Sequence, residues 1–239
     1  IRNPVHVAKI VSTLDNLSAG RMILGIGLGH VMAPDFCRTY GVDNREAVRR
    51  FNEGVRVLKS LWTEPVTNFA GEFYQLQRAG MWPKPVQKPH VPLWFGGQHP
   101  DALRRAVRHA DGYTCAGPNT TDEFAGFVGQ IRQFLDEEGR DPATLPLSKR
   151  VYLAIDDDEA RAKRRLDEFF ASRYPWQIQR NPDFVADICV WGRTARVAAG
   201  LARVARIGAS TIITNPLWDF EEQLEALASE VIPAVRALL

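Results

Sequence analysis

Two hydrophobic rhythms alternate along the chain. Val7, Ile10, Val11, Leu14 and Leu17 recur at helical spacing behind Asn3 and Pro4, which read as N-cap and first helical residue, and the pattern stops at Gly20. Met22 to Gly29 then runs apolar on both faces, which predicts a strand covered on both sides. Residues 30–43 read as a loop. Val48, Phe51, Val55, Leu58 and Leu61 mark a helix from Asn44 to about Trp62, and Phe69 to Tyr74 suggests a small hairpin. Prolines at 83, 85, 89 and 92 hold the next stretch extended, so residues 63–92 read as an excursion from the core.

From Leu93 the rhythm is strand and helix in turn. Leu93 to Phe95 precedes a helix from Pro100 to Ala110. Gly112 to Ala116 precedes a helix opened by Thr120-x-x-Glu123 and stopped at Gly139, and Val151 to Ile155 precedes a charged helix from Glu159 to Ser172. Residues 174–193 show no clear period. A helix from Thr194 to Ile207 closes at Gly208, the strand Thr211 to Ile213 follows, and a last helix spans Phe220 to Leu238. Five strands each followed by a helix predict an α/β fold with parallel strands, either a doubly wound sheet or a (β/α)8 barrel. A barrel of about 250 residues needs eight units, so five units behind a leading helix predict a TIM-type barrel lacking its first three strands in this chain. The start at Ile1, without Met, favours that reading, and residues 1–239 are expected to form one barrel domain.

Composition narrows the function classes. The 239 residues are 45% hydrophobic and 24% charged, ordinary for a soluble globular protein and unlike a disordered or fibrous chain. Thirty Lys and Arg stand among 28 Asp and Glu, with no basic block to suggest nucleic acid. No apolar run approaches the roughly 20 residues that span a bilayer. Cys37, Cys115 and Cys189 lie far apart without zinc-ligand spacing, and their odd number fits a reducing, cytoplasmic setting.

Gly25, Gly27 and Gly29 lack the spacing of a dinucleotide fingerprint and no helix opens directly after them, so they read as tight packing or as room for a flat ligand. His30 follows that strand end. His6, His90 and His109 read as structural or solvated, and Asp156 to Asp158 as charge complement to a helix N-terminus. Tyr174, Trp176 and Trp218 either wall an apolar pocket or cover the core edge.

Several segments in order resemble the bacterial luciferase-like family of flavin- and F420-dependent oxidoreductases, a (β/α)8 barrel family. They are Leu14-Asp15-x-Leu17-Ser18-x-Gly20-Arg21-x-x-Leu24-Gly25-x-Gly27-x-Gly29, then Tyr40-Gly41, Arg45, Leu61-Trp62, Gly71-x-Phe73-Tyr74 and Pro83-Lys84-Pro85-Val86-Gln87-x-Pro89. Pro92 to Gly97, Ala102 to Ala106 and Ala110 to Tyr113 continue the series, and Gly192-x-Thr194 agrees more weakly. The resemblance implies that Met22 to Leu28 is the fourth barrel strand, and that reduced FMN or F420 lies at the C-terminal mouth. A small organic substrate would there undergo monooxygenation or hydride transfer. It places His30 at that mouth as a catalytic candidate of open role, with Gly27, Gly29, Gly96, Gly97, Gln98, His99, Gly117 and Asn119 toward the cofactor. Some F420-dependent members carry Glu where this chain has His30, so their substrates do not transfer.

The sharpest expectation puts the cofactor phosphate on Gly96 to His99, against the helix starting at Pro100, with Arg104 and Arg105 adding positive field. The resemblance also implies a homodimer or larger homo-oligomer. A cofactor-binding barrel or partner subunit without turnover is the alternative, and a metal-dependent barrel hydrolase is disfavoured because His30 is the only good ligand at the strand ends.

Overall fold

Helix α1 (Pro4–Leu17) begins where the sequence places it, with Asn3 Oδ1 accepting the Val5 amide at 2.8 Å. The computed structural model describes residues 2–29 and 33–239. They fall into two compact units, Ile1–Gly97 and Gln98–Leu239.

In the first unit α1 leads to strand β1 (Leu24–Ile26), helix α2 (Pro34–Tyr40), a 3-10 turn at Asn44–Glu46 and helix α3 (Ala47–Thr63). Strand β1 is shorter than the expected Met22 to Leu28. It is only partly covered, with Gly25 exposed, so it is not the doubly buried strand its apolar run suggests. It pairs in parallel with β4 (Leu93–Gly96), Leu24 opposite Leu93 and Ile26 opposite Phe95. Helix α2 corrects the loop expected at 30–43: Pro34 supplies its first turn, Gly41 its left-handed C-cap at φ 60°, and Phe36 and Tyr40 touch one turn apart.

Between α3 and β4, strands β2 (Thr67–Ala70) and β3 (Gln75–Ala79) form the expected hairpin, with its turn rather than its strands at Gly71 to Tyr74. Glu53 on α3, 4% exposed, accepts the amides of Glu72, Phe73 and Tyr74 at 3.0, 2.9 and 2.7 Å. The proline-rich stretch is tied back by Gln87, whose side chain donates to Asp15 Oδ1 and to the Met22 carbonyl, both at 2.7 Å. Trp62 is buried and donates to the Ala8 carbonyl at 3.0 Å, which locks α3 to α1.

The second unit runs α4 (Pro100–His109), β5 (Gly112–Cys115), α5 (Thr121–Glu137), β6 (Leu147–Ile155), α6 (Glu159–Arg173), α7 (Pro175–Arg180) and α8 (Phe184–Ile188). Strand β7 (Cys189–Gly192), α9 (Thr194–Ile207), β8 (Thr211–Pro216), α10 (Phe220–Ala226) and α11 (Ile232–Leu238) complete it. Strand β6 is the hub. Residues 147–149 pair with β5, 148–153 with β8 and 152–155 with β7, all parallel. Since 148–149 and 152–153 each have β8 on one edge, β5 and β7 must share the other, β7 lying beyond the C-terminal end of β5.

Strand β6 starts four residues before the expected Val151. The charged pair Lys149-Arg150 hides its first half from a hydrophobic reading. The unassigned 174–193 segment folds as α7, α8 and β7. Tyr174 and Trp218 pack on the cluster of Tyr152, Phe170, Phe184 and Ile188, whereas Trp176 is 59% exposed, so the first two cover the core edge. The expected continuous helix over 220–238 is interrupted by a π-turn at Leu227–Val231, just before Pro233, which has no amide to give. No helix among the described residues is long and apolar enough to cross a membrane.

Candidate functional site

The capping box of α5 builds one end of the site in the second unit. Thr120 Oγ1 accepts the Glu123 amide at 2.9 Å, and Glu123 Oε2 accepts the Thr120 amide at 2.8 Å, so the turn after β5 is held rigid. Within that turn Asn119 is 6% exposed. Its Oδ1 accepts from Gln98 Nε2 at 2.9 Å and from the Cys115 thiol at 3.4 Å. Gly117 sits beside the pair, where a Cβ would stand 2.7 Å from Asn119 Oδ1 and 2.8 Å from Gln98 Nε2. Glycine therefore keeps open a cradle lined by one amide donor and one amide acceptor. Three residues named from sequence, Gln98, Gly117 and Asn119, are brought together here.

Beneath them lies a residue that the sequence reading missed. Lys149 on β6 is 1% exposed, and its ammonium donates to the Asn119 carbonyl at 2.7 Å. Burial lowers its pKa, opposed by Cys115 and Glu123 nearby. Burial raises the Cys115 thiol in turn, against the pull of Lys149. The only signal in the sequence is a charged residue just ahead of the apolar run Val151 to Ile155.

His99 is the N-cap of α4. Its Nδ1 accepts the Asp101 amide at 3.2 Å and its carbonyl accepts the Ala102 and Leu103 amides at 2.8 and 3.1 Å. The first-turn amides that were expected to hold a phosphate are thus engaged within the turn, and Asp101 adds a carboxylate there. Arg104 is also committed elsewhere, to Glu137 at 2.7 Å and across the Phe134 ring at 4.0 Å, while Arg105 faces Asp101. Helix α4 lends an anion less than its position promised.

In the first unit Gly27 and Gly29 line a cavity of 680 Å³ between β1, α1, α2 and α3, walled by Ile10, Leu14, Phe36, Tyr40 and Phe51. A Cβ at Gly27 would meet only the Gly96 carbonyl, at 3.7 Å, so Gly27 is open to a ligand without being required by packing. Gly29 and Gly97 have φ of 78° and 152°, backbone that favours glycine. His30 lies outside the described residues. Asp158 caps α6 through the Arg161 amide at 3.0 Å, and Asp156 pairs with the Arg161 side chain at 2.7 Å, as the helix-terminus reading expects.

These features join a parallel α/β frame to glycine-opened turns at strand ends, and a model of luciferase-like monooxygenases matches residues 1–211. The chain belongs to the luciferase-like monooxygenase family. Within it, an F420-dependent glucose-6-phosphate dehydrogenase of Kineococcus radiotolerans is 32% identical over 161 residues, 67% of this chain and 47% of that protein. An FMNH2-dependent dimethylsulfone monooxygenase of Pseudomonas putida is 25% identical over 269 aligned residues, 99% of this chain and 72% of that protein. This family member thus spans about half the length of the first of these relatives. Among solved structures, an F420-dependent secondary alcohol dehydrogenase holding an F420-acetone adduct aligns with TM-score 0.81 at 20% identity, over 98% of this chain and 75% of the other. That likeness shows a fold shared with the luciferase-like barrels.

Proposed function

We propose that the chain is the cofactor-bearing part of an oxidoreductase that uses reduced FMN or F420 on a small organic substrate. The observation that carries this reading is the cradle at Gly117, where a glycine without strained φ keeps a Cβ away from the hydrogen-bonded pair Gln98 Nε2 and Asn119 Oδ1. The Gln98 amide keeps a second N–H that suits an acceptor on either cofactor, while Asn119 Oδ1, taken by Gln98 and Cys115, holds that amide in place. Reduced FMN, when bound, would supply electrons for oxygen chemistry, and bound F420 would exchange a hydride. The protein's share is orientation: the capping box fixes the turn and Lys149 holds the Asn119 carbonyl from behind. His30 stands as the proposed catalytic residue. Gly96, Gly97 and His99 stand as proposed cofactor contacts through their backbone, with Gly27 and Gly29 on the apolar wall. An apolar cavity in the first unit of this size accords with an organic ligand.

Fluorescence titration with FMN, FMNH2 and F420 tests this. Saturable binding of at least one is expected, and Gly117→Ala, which pushes a methyl into the amide pair, should weaken it about tenfold. Gly117→Ala is a cleaner probe than Gly97→Asp, because φ at Gly97 strains any side chain. Failure of all three ligands to bind the wild-type chain overturns the reading.

A further inference from the structure

Strand β6 turns its side chains alternately to two faces. Lys149 points toward the α5 layer, 6.0 Å from the Phe124 ring. Ser148, Arg150 and Tyr152 therefore share the opposite face, and the Arg150 guanidinium stacks over the Tyr152 ring at 4.7 Å. Ser148 is fully buried and its hydroxyl has no hydrogen-bond partner among the described residues. The Arg150 Nε is likewise buried and unpartnered. No carboxylate of a described residue pairs with this guanidinium. Several other arginines of the unit do pair with carboxylates: Arg104 with Glu137, Arg161 with Asp156, Arg196 with Glu159 and Arg203 with Asp122.

Register defines what surrounds the pair. Ser148 is flanked by Thr114 on β5 and Thr211 on β8, whose side chains share its face, and Arg150 is flanked by Ile213, which is 43% exposed. A buried hydroxyl and an unbalanced guanidinium thus stand side by side among threonines, with an open isoleucine for a shoulder. Leaving such groups unpaired is unfavourable, and an oxyanion satisfies both at once, the guanidinium through charge-assisted hydrogen bonds and the hydroxyl as a further donor. Tyr152 presents no competing anion, since burial and its hydrogen bond with Tyr174 raise its pKa.

We infer that this face of β6 is an oxyanion subsite that receives the carboxylate, phosphate or sulfonate of a small organic substrate, with Arg150 as the charge and Ser148 as the neutral donor. Assigning the bound anion to a substrate rests on the oxidoreductase reading above; the subsite itself does not. The exposed isoleucine favours an anion with an aliphatic part over a bare ion.

Calorimetric titration of the full chain with butyrate, butyramide and inorganic phosphate tests it, with FMN and riboflavin titrated on the same samples. Butyrate and phosphate should bind saturably and butyramide should not. Arg150→Met should weaken butyrate about tenfold or more, Arg150→Lys by less, and Ser148→Ala by a few-fold. Near-ultraviolet circular dichroism checks folding, and if Arg150→Met does not fold, the graded losses in the other two variants decide. Absence of oxyanion binding, or equal binding by wild type and variants, overturns the subsite. Weaker FMN with unchanged riboflavin in the arginine variants assigns the site to the cofactor phosphate and overturns the substrate assignment. Oxyanion binding through Arg150 with no cofactor binding at all keeps the subsite and overturns the oxidoreductase reading.

Discussion

Glu53 shows what a single side chain does in this fold. Burial alone would raise its pKa, but three amide hydrogen bonds outweigh that, and the net shift is downward. Gly71 must be glycine beside it, since a Cβ would stand 2.1 Å from Glu53 Oε1. Glu53→Gln sets an amide N–H against backbone N–H groups and should destabilise the chain by about 1–3 kcal/mol at pH 7. A carboxylate with a lowered folded pKa stabilises above its unfolded value and loses that contribution as pH falls through the folded one. Urea unfolding of both forms should therefore show a gap that is full at pH 7 and narrows below about pH 4.5. Such a residue is not legible in sequence, because its partners are backbone amides about 20 positions away. Lys149 is hidden for a similar reason: its acceptor is the Asn119 carbonyl. Gln98, Gly117 and Asn119 were legible only through the family resemblance, and their hydrogen bond only in the structure.

Among the elements, those with caps and long periods were readable and those without were not. The α5 capping box was visible as Thr120-x-x-Glu123 and is present in full. Thr120→Ala should cost about 1 kcal/mol and lower the melting temperature by roughly 2–4 °C, as measured by circular dichroism. Since this turn also carries Asn119, the same variant should loosen the Gly117 cradle. Helix α2 has seven residues and no repeating apolar face, so only Pro34 and Gly41 announced it. Strand β7 has four residues and takes its identity from β6, which no local pattern reveals. The break in the last helix was not read, although Pro233 is a residue that cannot donate to the ladder.

For the whole molecule, the alternation of strand and helix was enough to predict parallel α/β architecture, because crossover helices need that rhythm. It runs on through Gly97 and Gln98 without interruption, so the two units have no counterpart in the pattern. The apolar residues Val55, Val57, Leu58, Leu61 and Trp62 of α3 are buried within their own unit, so the expected homo-oligomer gains no support from them. Strand β6 bears on folding as well as on function. With three strands registered on one, Leu153→Ala, at a fully buried position opposite Pro216 and Val190, should destabilise by about 2–5 kcal/mol and slow refolding, as stopped-flow fluorescence would show. The bond between Leu147 and Ser210 closes 63 residues of chain. At roughly 5–20 residues per second, a ribosome takes about 3–13 s between delivering β6 and delivering β8. For that interval one edge of the hub strand has no mate. A growing chain would thus present its most connected strand to its neighbours on the polysome, and the buried charge of Lys149 and the guanidinium of Arg150 are what discourage a stranger from taking β8's place.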